Sequence, residues 1–128
     1  MKQILSNDII NQYMPTLVKC PLFNTLGEPE LRSYLNNAKV IIHSYQKNDF
    51  IALAGDPMEG IGVILEGSAL LTRENVMGQR VIMANLEQSD IFGEALLFSK
   101  QPLWPATIKA TKATKIMFIP LETFIKTL

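Results

Sequence analysis

The residues best suited to ligand chemistry lie in segment 90–98, which contains a Gly-Glu pair. Gly93 can adopt backbone dihedral angles that other residues avoid, and without a Cβ it lets a ligand approach main-chain N–H groups. Glu94 supplies a hydrogen-bond acceptor, and a helix that begins after it offers several unpaired N–H donors. Seven residues further on, segment 106–111 alternates apolar and polar residues as a strand does. The pattern predicts a strand, a tight turn, a short helix and a return strand, which together form one wall of a pocket.

Length and composition indicate one domain with a substantial core. The chain has 128 residues, of which 48% are hydrophobic, so it needs no disulfides or metals to fold. Its formal net charge of +0 gives no broad basic field for nucleic acid or for an anionic membrane. The N-terminus becomes polar too early for a signal peptide, and no apolar run could span a bilayer. We therefore expect a cytoplasmic protein without a membrane partner, in which any DNA contact is made by other residues.

Single copies of cysteine and histidine limit the catalytic chemistry. Cys20 can form no intrachain disulfide and cannot by itself hold a metal cluster. His43 alone supplies neither the two or three histidine ligands of a cupin-like metalloenzyme nor a Ser-His-Asp arrangement. We expect a binding module with no catalytic residue and no metal, and a cupin-like metalloenzyme stays as the alternative from another functional class.

Hydrophobic periodicity divides the chain into a helical region (1–38), a β region (39–119) and the start of another helix (120–128). Apolar residues recur at helical spacing over 7–19, where Pro15 is expected to break or kink the helix. A second helix follows Gly27, its expected N-cap. In the β region, turn residues interrupt aliphatic runs about every 8 to 12 positions. The pattern predicts a mainly β fold, an antiparallel double-stranded β-helix (jelly roll) of about seven or eight strands with flanking short helices.

Two segments of the β region are predicted to bury one face and expose the other to water. They are the alternating positions Ile61, Val63 and Leu65, and the positions Ala106, Ile108 and Ala110. At the C-terminus, apolar residues recur at helical spacing over 121–128 and the sequence then stops. This helix either packs back on the roll or leads into further chain.

Several motifs are spaced as in the cyclic nucleotide-binding domain of the Crp/Fnr transcription regulators, which the chain resembles over nearly its whole length. They are the Gly93-Glu94 pair, Gly55-Asp-Pro57, Leu65-Glu-Gly-Ser68, Gly78-Gln-Arg80, Pro21-Leu-Phe-Asn-Thr-Leu26 and Ile119-Pro-Leu-Glu-Thr-Phe124. In that family the Glu of the pair accepts a hydrogen bond from the ligand ribose, and the glycine and the next two N–H groups approach the phosphate. The resemblance implies ligand contacts at Gly93, Glu94, Ala95 and Leu96, although the carboxylate could instead cap the short helix.

One departure from the family pattern bears on the ligand. Nucleotide-binding members enter the return strand through Arg-Ser or Arg-Ala, and the Arg pairs with the cyclic phosphate. Here those positions are Trp104 and Pro105, followed by Ala106 and Thr107, which match positions lining the family pocket. A charge-assisted partner is worth about 1.5–3 kcal/mol, and an indole offers only one neutral N–H. The departure argues against cAMP as the effector and predicts no resident cofactor.

Trp104 has two interpretations that the sequence leaves open. It could stack on a planar effector, or it could fill the pocket so that no ligand enters. Lys109 and Arg80 are the nearest candidate anion partners, but both are expected to be solvated surface charges. If Ile108 belongs to the core, Lys109 points outward.

In Crp/Fnr regulators this domain is followed by a dimerisation helix and a DNA-binding helix-turn-helix, neither of which is present in these residues. By resemblance, we expect the chain to be the effector-sensing domain of a longer homodimeric regulator that responds to an unidentified small molecule. DNA would be bound only through the C-terminal part. The alternative within the same class is a stand-alone cyclic nucleotide-binding module that controls a partner protein.

Overall fold

The computed structural model describes residues 2–4, 6–94, 99–100 and 102–120, with side chains from residue 6 onwards. Two helices, α1 (Asn7–Leu17) and α2 (Glu28–Asn37), lie near the N-terminus. The described strands are β1 (Lys2–Ile4), β2 (Ile41–Tyr45), β3 (Phe50–Ala52), β4 (Gly60–Glu66), β5 (Ala69–Glu74), β6 (Arg80–Leu86), β7 (Ile91–Phe92), β8 (Thr107–Ala110) and β9 (Thr114–Pro120). Neither helix combines the length and the apolar character that crossing a bilayer requires.

The strands form two antiparallel sheets, which confirms the predicted fold class. One sheet has the order β1-β2-β9-β4-β7, and the other has the order β3-β8-β5-β6. Neighbours in each sheet are mostly distant in sequence, as in a jelly roll. Strand β1 was not predicted, because three residues carry no clear period and their strand character comes from pairing with β2.

Helix α1 starts at a capped residue and is not divided at Pro15. The Ser6 hydroxyl accepts a hydrogen bond from the N–H of Ile9 at 3.3 Å, which satisfies one free donor of the first turn. The expected division at Pro15 is wrong, since α1 continues to Leu17. Proline removes one backbone hydrogen bond from the helix. The buried face of α1 offsets this loss; it comprises Ile10, Tyr13, Met14 and Leu17.

Two hydrophobic clusters lie on opposite faces of the five-stranded sheet. The outer cluster joins α1 and α2 to residues of β2, β4 and β9, including Leu35, Ile42 and Val63. The roll-interior cluster lies between the two sheets and includes Ile64, Ile108 and Ile116. Strands β4 and β9 contribute to both clusters, so their side chains are buried alternately on one face and the other.

This arrangement corrects one strand prediction and supports another. Strand β4 is buried from Gly60 to Leu65 and has no wet face, because the helices cover one side and the second sheet covers the other. In β8, Ile108 and Ala110 are buried while Thr107 and Lys109 are only half-buried, as the alternation predicted. The predicted C-terminal helix lies outside the described residues from position 121 onwards.

Substituting Leu35 by alanine is expected to lower the free energy of unfolding by about 2–5 kcal/mol, because a fully buried leucine leaves a cavity that the two helices and the sheet cannot close. Val76→Ala is the matched control, since Val76 is fully exposed at the β5–β6 turn and should change stability by less than about 0.5 kcal/mol. Urea denaturation followed by circular dichroism measures both. Equal losses in the two variants would contradict the proposed core.

Candidate ligand-binding site

The Gly93 turn lies at the end of β7 and has the backbone conformation that its glycine predicted. Its φ is +96°, in the left-handed region where residues with a Cβ are strained. A Cβ at this position would also lie 2.8 Å from Cε of Met58 and 3.4 Å from Cζ3 of Trp104. Glycine is therefore required twice, for the turn and for close packing beneath it. Glu94 is exposed, and Ala95 and Leu96 lie outside the described residues.

The loop that carries Trp104 is held by backbone pairing with the Gly55-Asp-Pro57 turn. The N–H of Gly55 donates to the carbonyl of Trp104, and the N–H of Trp104 donates to the carbonyl of Asp56, each at 2.8 Å. The N–H of Met58 donates to the carbonyl of Pro102, also at 2.8 Å. The sequence identified this turn only as a family motif, and its role as the partner of the Trp104 loop becomes visible in the fold.

Trp104 packs inside the roll against the Gly93 turn. Only 8% of the residue is exposed, and its ring centroid lies 5.7 Å from that of Phe92 in a tilted arrangement. Ring atoms of Trp104 also face the position that a Cβ on Gly93 would occupy. The indole therefore fills space directly under the turn, and Met58 contacts the same place.

The other predicted site residues separate onto different faces. Ala106 is buried, whereas Pro105 is exposed. Thr107 is half-buried, and its hydroxyl oxygen accepts a hydrogen bond from the N–H of Ala54 at 3.2 Å, which ties β8 to the end of β3. The fold thus brings Gly93 and Trp104 together, while Thr107 shares the outer face of the second sheet with Lys109.

The two candidate cations lie on that outer face. Nζ of Lys109 lies over the ring of Phe50, 5.6 Å from its centroid. Arg80 is exposed at the start of β6 and lines an open groove together with Phe50 and Lys109. Neither side chain lines the cavity that contains Trp104.

A cavity of about 290 Å³ lies beside Trp104, between β2 and β9 on one side and β3 on the other. Sequence reasoning missed it, because its lining comes from segments far apart in the chain. Burial, followed by the negative charges of Asp49 and Glu59, raises the pKa of Tyr45, one of the lining residues, to about 12.

Comparison with known proteins places this architecture in a family. A sequence model described as "Cyclic nucleotide-binding domain" matches residues 42–128, more than half of the chain. The chain belongs to the cyclic nucleotide-binding domain family. The resemblance predicted from the Gly-Glu pair and the other motifs is thereby confirmed.

Two relatives and one solved structure show what this cyclic nucleotide-binding domain is similar to. It is 31% identical to the cAMP-activated global transcriptional regulator CRP of Pasteurella multocida over 97 residues, covering 76% of this chain and 46% of the relative. It is 30% identical to the cAMP-dependent protein kinase regulatory subunit of Dictyostelium discoideum over 84 residues, covering 63% of this chain and 25% of the relative. The chain thus spans less than half the length of these relatives.

The solved structure supports the fold of the cyclic nucleotide-binding domain. The sensor domain of the transcriptional regulator DNR from Pseudomonas aeruginosa superimposes with a TM-score of 0.78. The match covers 93% of this chain and 78% of that chain, at 18% sequence identity. At this identity the likeness concerns the fold alone.

Replacing Trp104 by alanine in this cyclic nucleotide-binding domain is expected to cost about 3–5 kcal/mol of unfolding free energy, because the indole fills the roll interior beside Phe92. Trp104→Phe keeps part of the packing and should cost less. Leu103→Ala is the matched control from the same loop, since Leu103 is 44% exposed and should cost less than about 1 kcal/mol. Circular dichroism during urea denaturation is the measurement. A Trp104→Ala protein as stable as Leu103→Ala would show that the indole is dispensable for packing.

Tyr45→Phe is expected to flatten the loss of stability at alkaline pH. An unfolded tyrosine ionises near pH 10, but folded Tyr45 keeps its proton until about pH 12. Between these values the folded state binds more protons than the unfolded state, so the free energy of unfolding falls as pH rises. The phenylalanine variant lacks this proton and should lose less stability in that window. Urea denaturation from about pH 8 to pH 12 tests this, and the prediction fails if both proteins lose stability in parallel above pH 10.

Proposed function

We propose that this chain is the effector-sensing domain of a Crp/Fnr-like transcription regulator whose effector is not cAMP. The family match and the relative named as a cAMP-activated transcriptional regulator support the regulatory role. The second part is supported by the position of Trp104 against the Gly93 turn. By resemblance, Trp104 corresponds to the Arg that pairs with the cyclic phosphate in nucleotide-binding members.

The physical case against cAMP is electrostatic and steric. A cyclic phosphate is an anion, and leaving it without a charge-assisted partner costs about 1.5–3 kcal/mol, or roughly one to two orders of magnitude in affinity. The indole is neutral and buried under the turn. Lys109 and Arg80, the cations considered as substitutes, line the groove on the outer face of the second sheet. Glu94 is exposed and could still accept a hydrogen bond from a ribose, but that contact does not replace the missing cation.

As a sensor, the domain would act by differential binding and not by chemistry. An effector that binds one arrangement of the Gly93 turn more tightly than another shifts the population toward that arrangement. In a cytoplasmic homodimer, the segment after β9 would transmit this shift to a DNA-binding part of the protein. The coupling can be no larger than the difference in effector affinity between the two states.

The Dictyostelium relative supports a second candidate function. It is named as a regulatory subunit of a protein kinase, so a domain of this family can also control a partner enzyme. A stand-alone module of that kind would bind a cyclic nucleotide and a protein without binding DNA. The nucleotide titration below tests whether this chain binds a cyclic nucleotide, which this candidate requires.

Isothermal titration with cAMP and cGMP is expected to give no saturable heat for the natural sequence at up to about 1 mM nucleotide. The double variant Trp104→Arg with Pro105→Ser installs the family's residues at both positions and should gain cAMP binding by roughly tenfold to a hundredfold. The guanidinium supplies the charge-assisted partner that the indole lacks.

Trp104→Gln with Pro105→Ser is the matched control, because it removes the indole and opens the loop without adding a cation. Circular dichroism establishes that each variant is folded before titration. Micromolar binding of cAMP by the natural sequence would overturn the proposal that the effector is not cAMP. Equal gains in the Arg and Gln variants would show that the indole blocks the site only by its volume.

A further inference from the structure

Several ring side chains line the cavity beside Trp104. His43 and Tyr45 project from β2 and Phe118 from β9, and Trp104 closes the side toward the Gly93 turn. The His43 ring centroid lies 6.2 Å from that of Tyr45 and 5.8 Å from that of Phe118. Aromatic faces carry negative potential and attract cations placed within about 6 Å of the ring centroid.

The charged side chains that line this cavity are both acidic. Among the described residues, Asp56 and Glu59 line it, and no Lys or Arg does. Both carboxylates are exposed, which places them at the mouth and not in the closed interior. Burial, followed by the negative charges of Asp49 and Glu59, raises the pKa of Tyr45, so Glu59 acts electrostatically on a ring that lines the cavity.

The volume suits a small molecule. At about 290 Å³ the cavity lies at the lower end of the range for ligand pockets, which is about 300–1,000 Å³. An anionic ligand would meet the carboxylates of Asp56 and Glu59, and no Lys or Arg among the described lining residues offsets them. A neutral apolar ligand would gain from the rings but not from Asp56 and Glu59.

We propose that this cavity binds a small organic cation, with its ammonium group against the rings of Tyr45, Phe118 and Trp104 and within the field of Asp56 and Glu59. The proposal deepens the proposed function, since it names the chemical class of an effector for the same domain. Only the regulatory consequence of cation binding rests on the proposed function. Binding itself is measured on this chain alone.

Trp104 connects the cavity to the Gly93 turn. The same indole lines the cavity and packs against Phe92 and Gly93. A cation that contacts the indole therefore stabilises the arrangement in which the ring covers the turn. Trp104 is also the only tryptophan of the chain, so its fluorescence reports on this cavity without a label.

The test compares choline with 3,3-dimethylbutan-1-ol, which has nearly the same shape and no charge. Choline should change Trp104 fluorescence saturably below about 10 mM and raise the unfolding temperature. The neutral alcohol should bind at least about tenfold more weakly than choline, because it loses the cation–π attraction and the attraction to the carboxylates. Equal affinity for the two compounds, or no saturable change with choline, would overturn the proposal.

Charge-removing variants locate the site. Glu59→Gln and Asp56→Asn keep the side-chain shape, and each should weaken choline binding about threefold or more by removing one negative charge at the mouth. Glu87→Gln, an exposed carboxylate that does not line the cavity, is the matched control and should leave affinity unchanged. If the Glu59 and Asp56 variants bind choline as tightly as the Glu87 variant, the cation is bound elsewhere and the assignment is wrong. The cAMP titration addresses the Gly93 side, so either proposal can fail without the other.

Discussion

The site depends on the backbone pairing between the Gly55-Asp-Pro57 turn and the loop that ends at Trp104. Three hydrogen bonds of 2.8 Å fix this loop, two of them through the main chain of Trp104 itself. A large side chain in a surface loop would ordinarily sample several positions, but here its backbone is held on both the donor and the acceptor side. The indole thereby points into the roll. There it packs against the ring of Phe92 and against Gly93, which has no Cβ to block it.

The rest of the structure provides a rigid frame for that packing. Strands β4 and β9 are buried on both faces, between the helical layer and the second sheet, so neither can shift without disturbing two clusters at once. The ring of Phe92 contacts two other rings. Its centroid lies 6.1 Å from that of Phe118 on β9 and 5.7 Å from that of Trp104. Gly62 on β4 leaves the space that the Phe92 ring occupies, since a Cβ there would collide with it. The Gly93 turn is therefore connected to the interior by a continuous set of packed aromatic rings.

Acidic and basic side chains lie on different parts of this domain. The neutral ring of Trp104 packs under the Gly93 turn, and the carboxylates of Asp56 and Glu59 line the neighbouring cavity. The cations Lys109 and Arg80 line the outer face of the second sheet. Acidic groups beside aromatic rings are the physical basis of the proposed preference for a positively charged ligand. The same fold can thus carry a different ligand preference, because the preference depends on a few side chains and not on the roll.

Short-range sequence patterns were sufficient to predict the fold class and the position of the tight turn. Strand alternation, regular turn residues and the Gly93-Glu94 pair predicted an antiparallel roll with a tight turn, because these features depend on neighbouring residues alone. The continuation of α1 through Pro15 depends on tertiary packing, since burial of a whole helix face outweighs one missing hydrogen bond. Tertiary packing likewise sets the environment of Trp104 and brings His43 and Glu59 together at one cavity. These contacts join segments that are distant in the chain, and local sequence periodicity does not indicate which distant residues will be in contact.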